Sequence, residues 1–231
     1  MRGCFEFQNS FAQPMKKVLS TMMVLAAVAG FAGAAQAQDA KAGAGKVAMC
    51  IGCHSIPGYQ SSFPEVHKVP MIAGQGAKYI VASLNAYKKG ERKHPTMRSI
   101  AESLSEQDMA DIAAYYEALP QNAQAVPEQP AKQPSAEVAA LLQKGACVSC
   151  HGANFSKPID GTYPKIAGQH ADYLFVALKS YKTDNNPHIG RANAIMAGQV
   201  KQFTNAELKA MAQYIGSLPG EMKVVAQDRF R

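Results

Sequence analysis

The hydrophobic pattern changes character once along the chain. Residues 18–35 form an uncharged, mostly apolar run without a period. Beyond residue 38 the apolar positions recur at helical spacing. Ile80, Val81, Leu84 and Tyr87 fall on one side of a helix predicted over Ala77–Lys89. Ala42–Met49 is rich in Ala and Gly and leads into a cysteine motif. Ser105, with Glu106 and Asp108 behind it, reads as an N-cap with acids in the first turn. That helix runs to Leu119 and is stopped by Pro120. Thr204 and Glu207 have capping-box spacing and open a similar helix to Leu218. No alternating strand pattern stands out, so the chain is predicted to be all-α. The stretches between these helices are long, and loops of that length need a body to wrap around.

The aperiodic run has a different meaning. Lys16 and Lys17 precede it, and Ala35-Gln36-Ala37 closes it with a small-x-small site. This is the layout of a secretory signal peptide over residues 1–37, cleaved before Gln38. As a membrane span the run is marginal, with many Ala and Gly and with Ser20 and Thr21. The stretch before Met15 carries Arg2, Glu6 and Asn9 and fits a signal poorly. Translation is therefore expected to start at Met15, with Met1–Pro14 an upstream extension. The formal charge of +7 falls to +5 once Arg2, Lys16, Lys17 and Glu6 are removed. Cys4 also leaves, and the other four of the five cysteines are expected outside the cytoplasm, where thiols do not normally stay free.

What remains is one unit written twice. Cys50-Ile51-Gly52-Cys53-His54 recurs as Cys147-Val148-Ser149-Cys150-His151. Pro70-Met71-Ile72-Ala73-Gly74-Gln75 recurs as Pro164-Lys165-Ile166-Ala167-Gly168-Gln169. Tyr79, Leu84 and Tyr87 recur as Tyr173, Leu178 and Tyr181, and Arg92 and Met97 as Arg191 and Met196. Gln121–Pro134 lies between the copies and is rich in Pro, Gln and Ala, as a semi-rigid linker would be. The expected domains are residues 38–122 and 134–231, joined by the linker 123–133. Each is small for an unaided core.

All four remaining cysteines lie in two Cys-x-x-Cys-His motifs, the signature of covalent c-type haem attachment. Cys50 and Cys53, and Cys147 and Cys150, are spaced to face one haem each from the start of a helix. His54 and His151 follow directly and turn beneath the ring to ligate iron. A zinc site built of two such pairs would place them about 15–20 residues apart, and a thioredoxin-like pair would need a βαβ pattern. Neither condition is met. The sixth ligand must come from elsewhere. Of the methionines after residue 37, only Met97 and Met196 align between the copies; Met49, Met109 and Met211 read as core filler and Met222 lies past the last helix. Histidine is the rival: His94 and His188 both sit in the loop before the methionine, where a histidine is ordinarily solvated. A thioether opposite a histidine raises the potential over a His/His pair. Two filled axial positions leave room for outer-sphere electron transfer and none for substrate.

This duplicated pattern closely resembles the diheme cytochrome c4 family over most of residues 40–219. The resemblance implies two tandem class I cytochrome c domains related by a pseudo-twofold, with haem propionates near one interface. It implies that the carbonyls of Pro70 and Pro164 accept the proximal histidine N–H, and that Arg92 and Arg191 meet propionates. It also implies a periplasmic carrier of single electrons between a quinol-oxidising cytochrome bc-type complex and a terminal oxidase. Two departures bear on the haem-edge surfaces. The first Cys-to-Pro loop is three residues longer, and the second copy has five extra residues between Tyr181 and Met196. Propionates would offset most of the positive charge, and no basic block is present, so nucleic acid is excluded as a partner. Any association with the membrane surface is expected to be loose, and the chain a monomer or weak dimer. The alternative reading is the haem subunit of a periplasmic dehydrogenase, of flavocytochrome or sulfur-oxidising type, since one fold serves both. A diheme peroxidase would need one haem without methionine.

Overall fold

A computed structural model describes residues 37–120 and 125–228. The expected signal peptide lies outside the described residues except for Ala37. Gln38–Arg231 forms one compact unit. Among the described residues no helix is long and apolar enough to cross a membrane.

Each copy begins with a helix that runs into a second, haem-motif helix. In the first copy these are α1 (Ala40–Lys46) and α2 (Ala48–His54), broken at Val47. Asp39 caps α1 by accepting from the Lys41 and Ala42 N–H groups. Then follow β1 (Gln60–Ser61), β2 (His67–Lys68), α3 (Ala77–Lys88), β3 (Arg92–Lys93), α4 (Pro95–Glu102) and α5 (Glu106–Ala118). The second copy supplies α6 (Ala136–Lys144), α7 (Cys147–His151), α8 (Ala171–Ser180), β4 (Gly190–Arg191), α9 (Ala194–Val200) and α10 (Asn205–Gly216). The predicted starts of α5 and α10 are full capping boxes, Ser105 with Asp108 and Thr204 with Glu207.

Met97 and Met196 are each the third residue of a short helix, α4 or α9. One feature differs from the sequence expectation: strands are present, although each is only two residues long. β1 pairs with β2 inside the first copy, whereas β3 pairs antiparallel with β4 across the copies, setting Arg92 opposite Arg191.

The core is double. One cluster is built around Val47, Ile51, Ile80, Leu84, Met109, Ile112 and Tyr116, and the other around Leu142, Phe155, Leu174, Phe203, Leu208 and Met211. Helices α1 and α5 cross at Gly43, where an added Cβ would lie 2.1 Å from the Asp111 carbonyl oxygen. Lys46 at the end of α1 reaches Asp108 and Asp111 on α5 at 2.7 and 2.8 Å. The chain after the last helix returns to the first copy. Lys223 N–H donates to the Ala73 carbonyl at 3.0 Å, and Val225 packs on the first core. The proline-rich connection stays with the second copy, where Asn154 donates to the Pro127 carbonyl and Tyr214 to that of Lys132.

Candidate haem sites

In both copies the motif helix presents its cysteines and histidine to one shared cavity of about 700 Å³. All twelve residues singled out in the sequence line it: Cys50, Cys53, His54, Pro70, Arg92 and Met97, and Cys147, Cys150, His151, Pro164, Arg191 and Met196. The four thiols are unpaired with one another. Burial pushes the Cys50 and Cys147 thiols up to about 11, so they are held as neutral thiols.

Each histidine is oriented from behind. His54 Nδ1 lies 2.8 Å from the Pro70 carbonyl oxygen, and His151 Nδ1 lies 3.0 Å from that of Pro164. With Nδ1–H donating to the carbonyl, Nε2 keeps its lone pair for a metal. Burial lowers the pKa of both rings while the carbonyls act in the other direction. Neutral imidazole is the form that binds iron.

The arginines meet where the copies meet. Arg92 Nη2 and Arg191 Nη2 donate to the same Tyr173 hydroxyl, at 2.7 and 3.1 Å. Arg92 Nη1 also reaches Ser83 Oγ at 3.0 Å and Tyr79 Oη at 3.3 Å. The Tyr87 ring lies under Arg92, and the Tyr181 ring under Arg191. Burial alone would raise the Tyr173 hydroxyl, but the two guanidiniums bring it down to about 8. Neither arginine has a carboxylate partner among the described residues, and Arg92 Nε is buried without a hydrogen-bond partner. Two like charges held against an apolar cavity in this way form a cradle for anionic groups. The residues therefore fit a haem pair on three separate counts: thiols, neutral imidazoles and an unmet positive charge.

Two further histidines are less solvated than a loop position suggests. His67 is 5% exposed and its Nδ1 meets the Glu65 carbonyl. His94 lines the cavity, packs edge-on against Phe63, and has a buried Nδ1 without a partner. A comparison of the copies would have flagged it: the matching Asn193 caps α9 through the Met196 N–H, a task that His94 does not perform on α4. Tyr173 was visible as a repeated residue, but not as the one hydroxyl that serves both arginines.

The family model of cytochrome c matches residues 40–120 and 135–219. Cytochrome c4 of Stutzerimonas stutzeri is 33% identical over 218 residues, covering 88% of this chain and 100% of the relative. The chain belongs to the cytochrome c4 family. The crystal structure of reduced recombinant cytochrome c4 from Pseudomonas stutzeri superposes with a TM-score of 0.56 at 30% identity, covering 79% of this chain and 100% of that one. A thiosulfate dehydrogenase electron acceptor of Stutzerimonas stutzeri (strain A1501) is 30% identical over 216 residues, covering 84% of this chain and 94% of the relative. The fold is thus two tandem class I cytochrome c domains, and the cofactors are two covalently attached haem c groups. Electron transfer between redox proteins is the work of this family.

Proposed function

We propose that this cytochrome carries single electrons in the periplasm from a quinol-oxidising cytochrome bc-type complex to a terminal oxidase. A signal peptide removed after Ala37 would deliver it there, leaving domains 38–122 and 134–231 on either side of the linker 123–133. Cys50 and Cys53 hold one haem and Cys147 and Cys150 the other. His54 with Met97, and His151 with Met196, are the axial ligands. When bound, each haem supplies a one-electron Fe(III)/Fe(II) couple. The protein's own part is to fix the axial side chains, exclude water with an apolar wall and balance charge at Arg92 and Arg191.

One observation carries this reading: in each copy the histidine and the methionine that align between the repeats line the same cavity. Filling both axial positions leaves no place for substrate, which points to outer-sphere transfer. His94 is the rival ligand in the first domain, since its Nδ1 is buried and unpartnered. The two are told apart by the far-red sulfur-to-iron charge-transfer band of the ferric protein. Replacing Met97 or Met196 with Ala should remove about half of that band each, reading it as one contribution per thioether. A band that survives Met97→Ala undiminished would assign the first haem to His94. For the partners, the reduced holoprotein should be re-oxidised by respiring membranes at a rate that falls with salt, as electrostatic docking requires. A rate that does not respond to salt would argue against electrostatic docking.

The dehydrogenase reading has partial support of its own, because the thiosulfate dehydrogenase electron acceptor of Stutzerimonas stutzeri (strain A1501) matches over 94% of its length. Purification from periplasm distinguishes the two. A free carrier comes alone, with an intact mass for two haems; a dehydrogenase subunit brings a stable partner chain.

A further inference from the structure

The Pro-x-Ile-Ala-Gly-Gln segment does more than offer a carbonyl to the proximal histidine. The Pro70 carbonyl that meets His54 and the Met71 N–H belong to a single planar peptide unit. The far end of that unit is held by the other domain: Gln169 Oε1 accepts from the Met71 N–H at 3.0 Å, and Gln169 Nε2 donates to the Met71 carbonyl at 2.9 Å. The arrangement is reciprocal. Gln75 Oε1 accepts from the Lys165 N–H at 3.0 Å, and Gln75 Nε2 donates to the Lys165 carbonyl at 2.9 Å, behind the Pro164 carbonyl that meets His151. Each glutamine thus grips both backbone groups of one residue, as a neighbouring strand would.

The clamps are themselves fixed. Both glutamines are 4% exposed. Their Oε1 atoms also accept from the Gly76 and His170 N–H groups, and both Nε2 atoms turn to the Met222 sulfur at 3.3 and 3.6 Å. Gly74 and Gly168, at φ of 86° and 73°, make the turn that sends each side chain across, and any Cβ there would press on backbone near residue 220.

We propose that Gln75 and Gln169 are positioning residues, each tuning the reduction potential of the haem held by the opposite domain. The reading rests on His54 and His151 being proximal ligands. A hydrogen bond to the peptide N–H polarises the peptide and strengthens its carbonyl as an acceptor. A stronger acceptor makes the imidazole a more basic ligand, which favours ferric iron. Removing the clamp therefore raises the potential, and it does so in the other domain.

The test uses the full-length holoprotein with Gln75→Met and Gln169→Met, which keep side-chain length and remove both polar groups. Each haem is followed in a redox titration by its own hyperfine-shifted methyl proton resonances. Gln75→Met should raise the potential of the haem on Cys147 and Cys150, with the smaller effect on the haem of its own domain. Gln169→Met should do the converse. If each variant mainly moves the haem of its own domain, or neither haem moves, the proposal is overturned. Should a Met variant fail to retain haem, Gln75→Asn and Gln169→Asn, too short by one methylene to hold both groups, are titrated with the same expected and overturning outcomes. Failure of the underlying ligand assignment looks different. In that case the wild-type protein already lacks the shifted imidazole ring protons of His54 and His151.

Discussion

A guanidinium enclosed without a carboxylate destabilises a fold unless an anion meets it. Arg92 and Arg191 are both in this situation, and the single Tyr173 hydroxyl that they share does not neutralise them. A cation beside a haem favours the ferrous state. Arg92→Gln should therefore lower the reduction potentials, most for the haem nearest to it, as read by spectroelectrochemistry. Gly43 is a residue of the opposite kind, chosen for what it lacks. A Cβ placed 2.1 Å from the Asp111 carbonyl forces α1 and α5 apart. Gly43→Ala should cost on the order of 1–3 kcal/mol in denaturant unfolding, the range of an overpacked core. The matching position in the second copy, Ala140, is exposed, so no such penalty applies there. At this scale much was legible. The cysteines, histidines, prolines, arginines and aligned methionines could be picked out because the chain states each of them twice. What duplication cannot show is an asymmetry such as Tyr173 serving both arginines while Tyr79 reaches only Arg92.

The long helices were readable from their period and caps because their apolar faces and capping boxes are local features of the chain. The short elements were not. Helices α4 and α9 have eight and seven residues, too few for a periodic stripe. The β3–β4 pair has no alternation to read, since its strands are two residues long and come from different copies. One pair of helices also carries a pH dependence. Lys46 and a Ser105 hydrogen bond hold the Asp108 carboxyl down to about 2, and Lys46 lowers Asp111 as well. A carboxylate with a depressed folded-state pKa stabilises above its unfolded value, near 4, and loses this as pH falls through the folded value. The α1–α5 crossing should accordingly weaken between about pH 4 and pH 2. Lys46→Met should flatten that part of the stability–pH curve, followed by circular dichroism of the first domain's unfolding.

At the scale of the whole molecule the two copies behave as one body, bound by contacts that the sequence could not reveal. Gln75 and Gln169 were visible as repeated letters, but their partners lie 90 and 98 residues away along the chain. Glu65 with Lys179, and Lys68 with Asp172, add further cross-links. The C-terminal segment joins the same seam through Lys223, Val225 and the buried Met222. A chain ended at Gly220 loses the contacts of Met222, Lys223 and Val225. Its first domain should unfold at a lower denaturant concentration than in the full chain, measured by haem absorbance, while α10 and its neighbours keep their packing.

That C-terminal strap also fixes an order of assembly. A polypeptide emerges from its N-terminus, so the Ala73 carbonyl is delivered long before the Lys223 N–H that meets it. The first domain must wait, with that edge open to water, until the segment beyond α10 has arrived. The closing stitch is therefore a timing device: the first domain is sealed only after the second has been made.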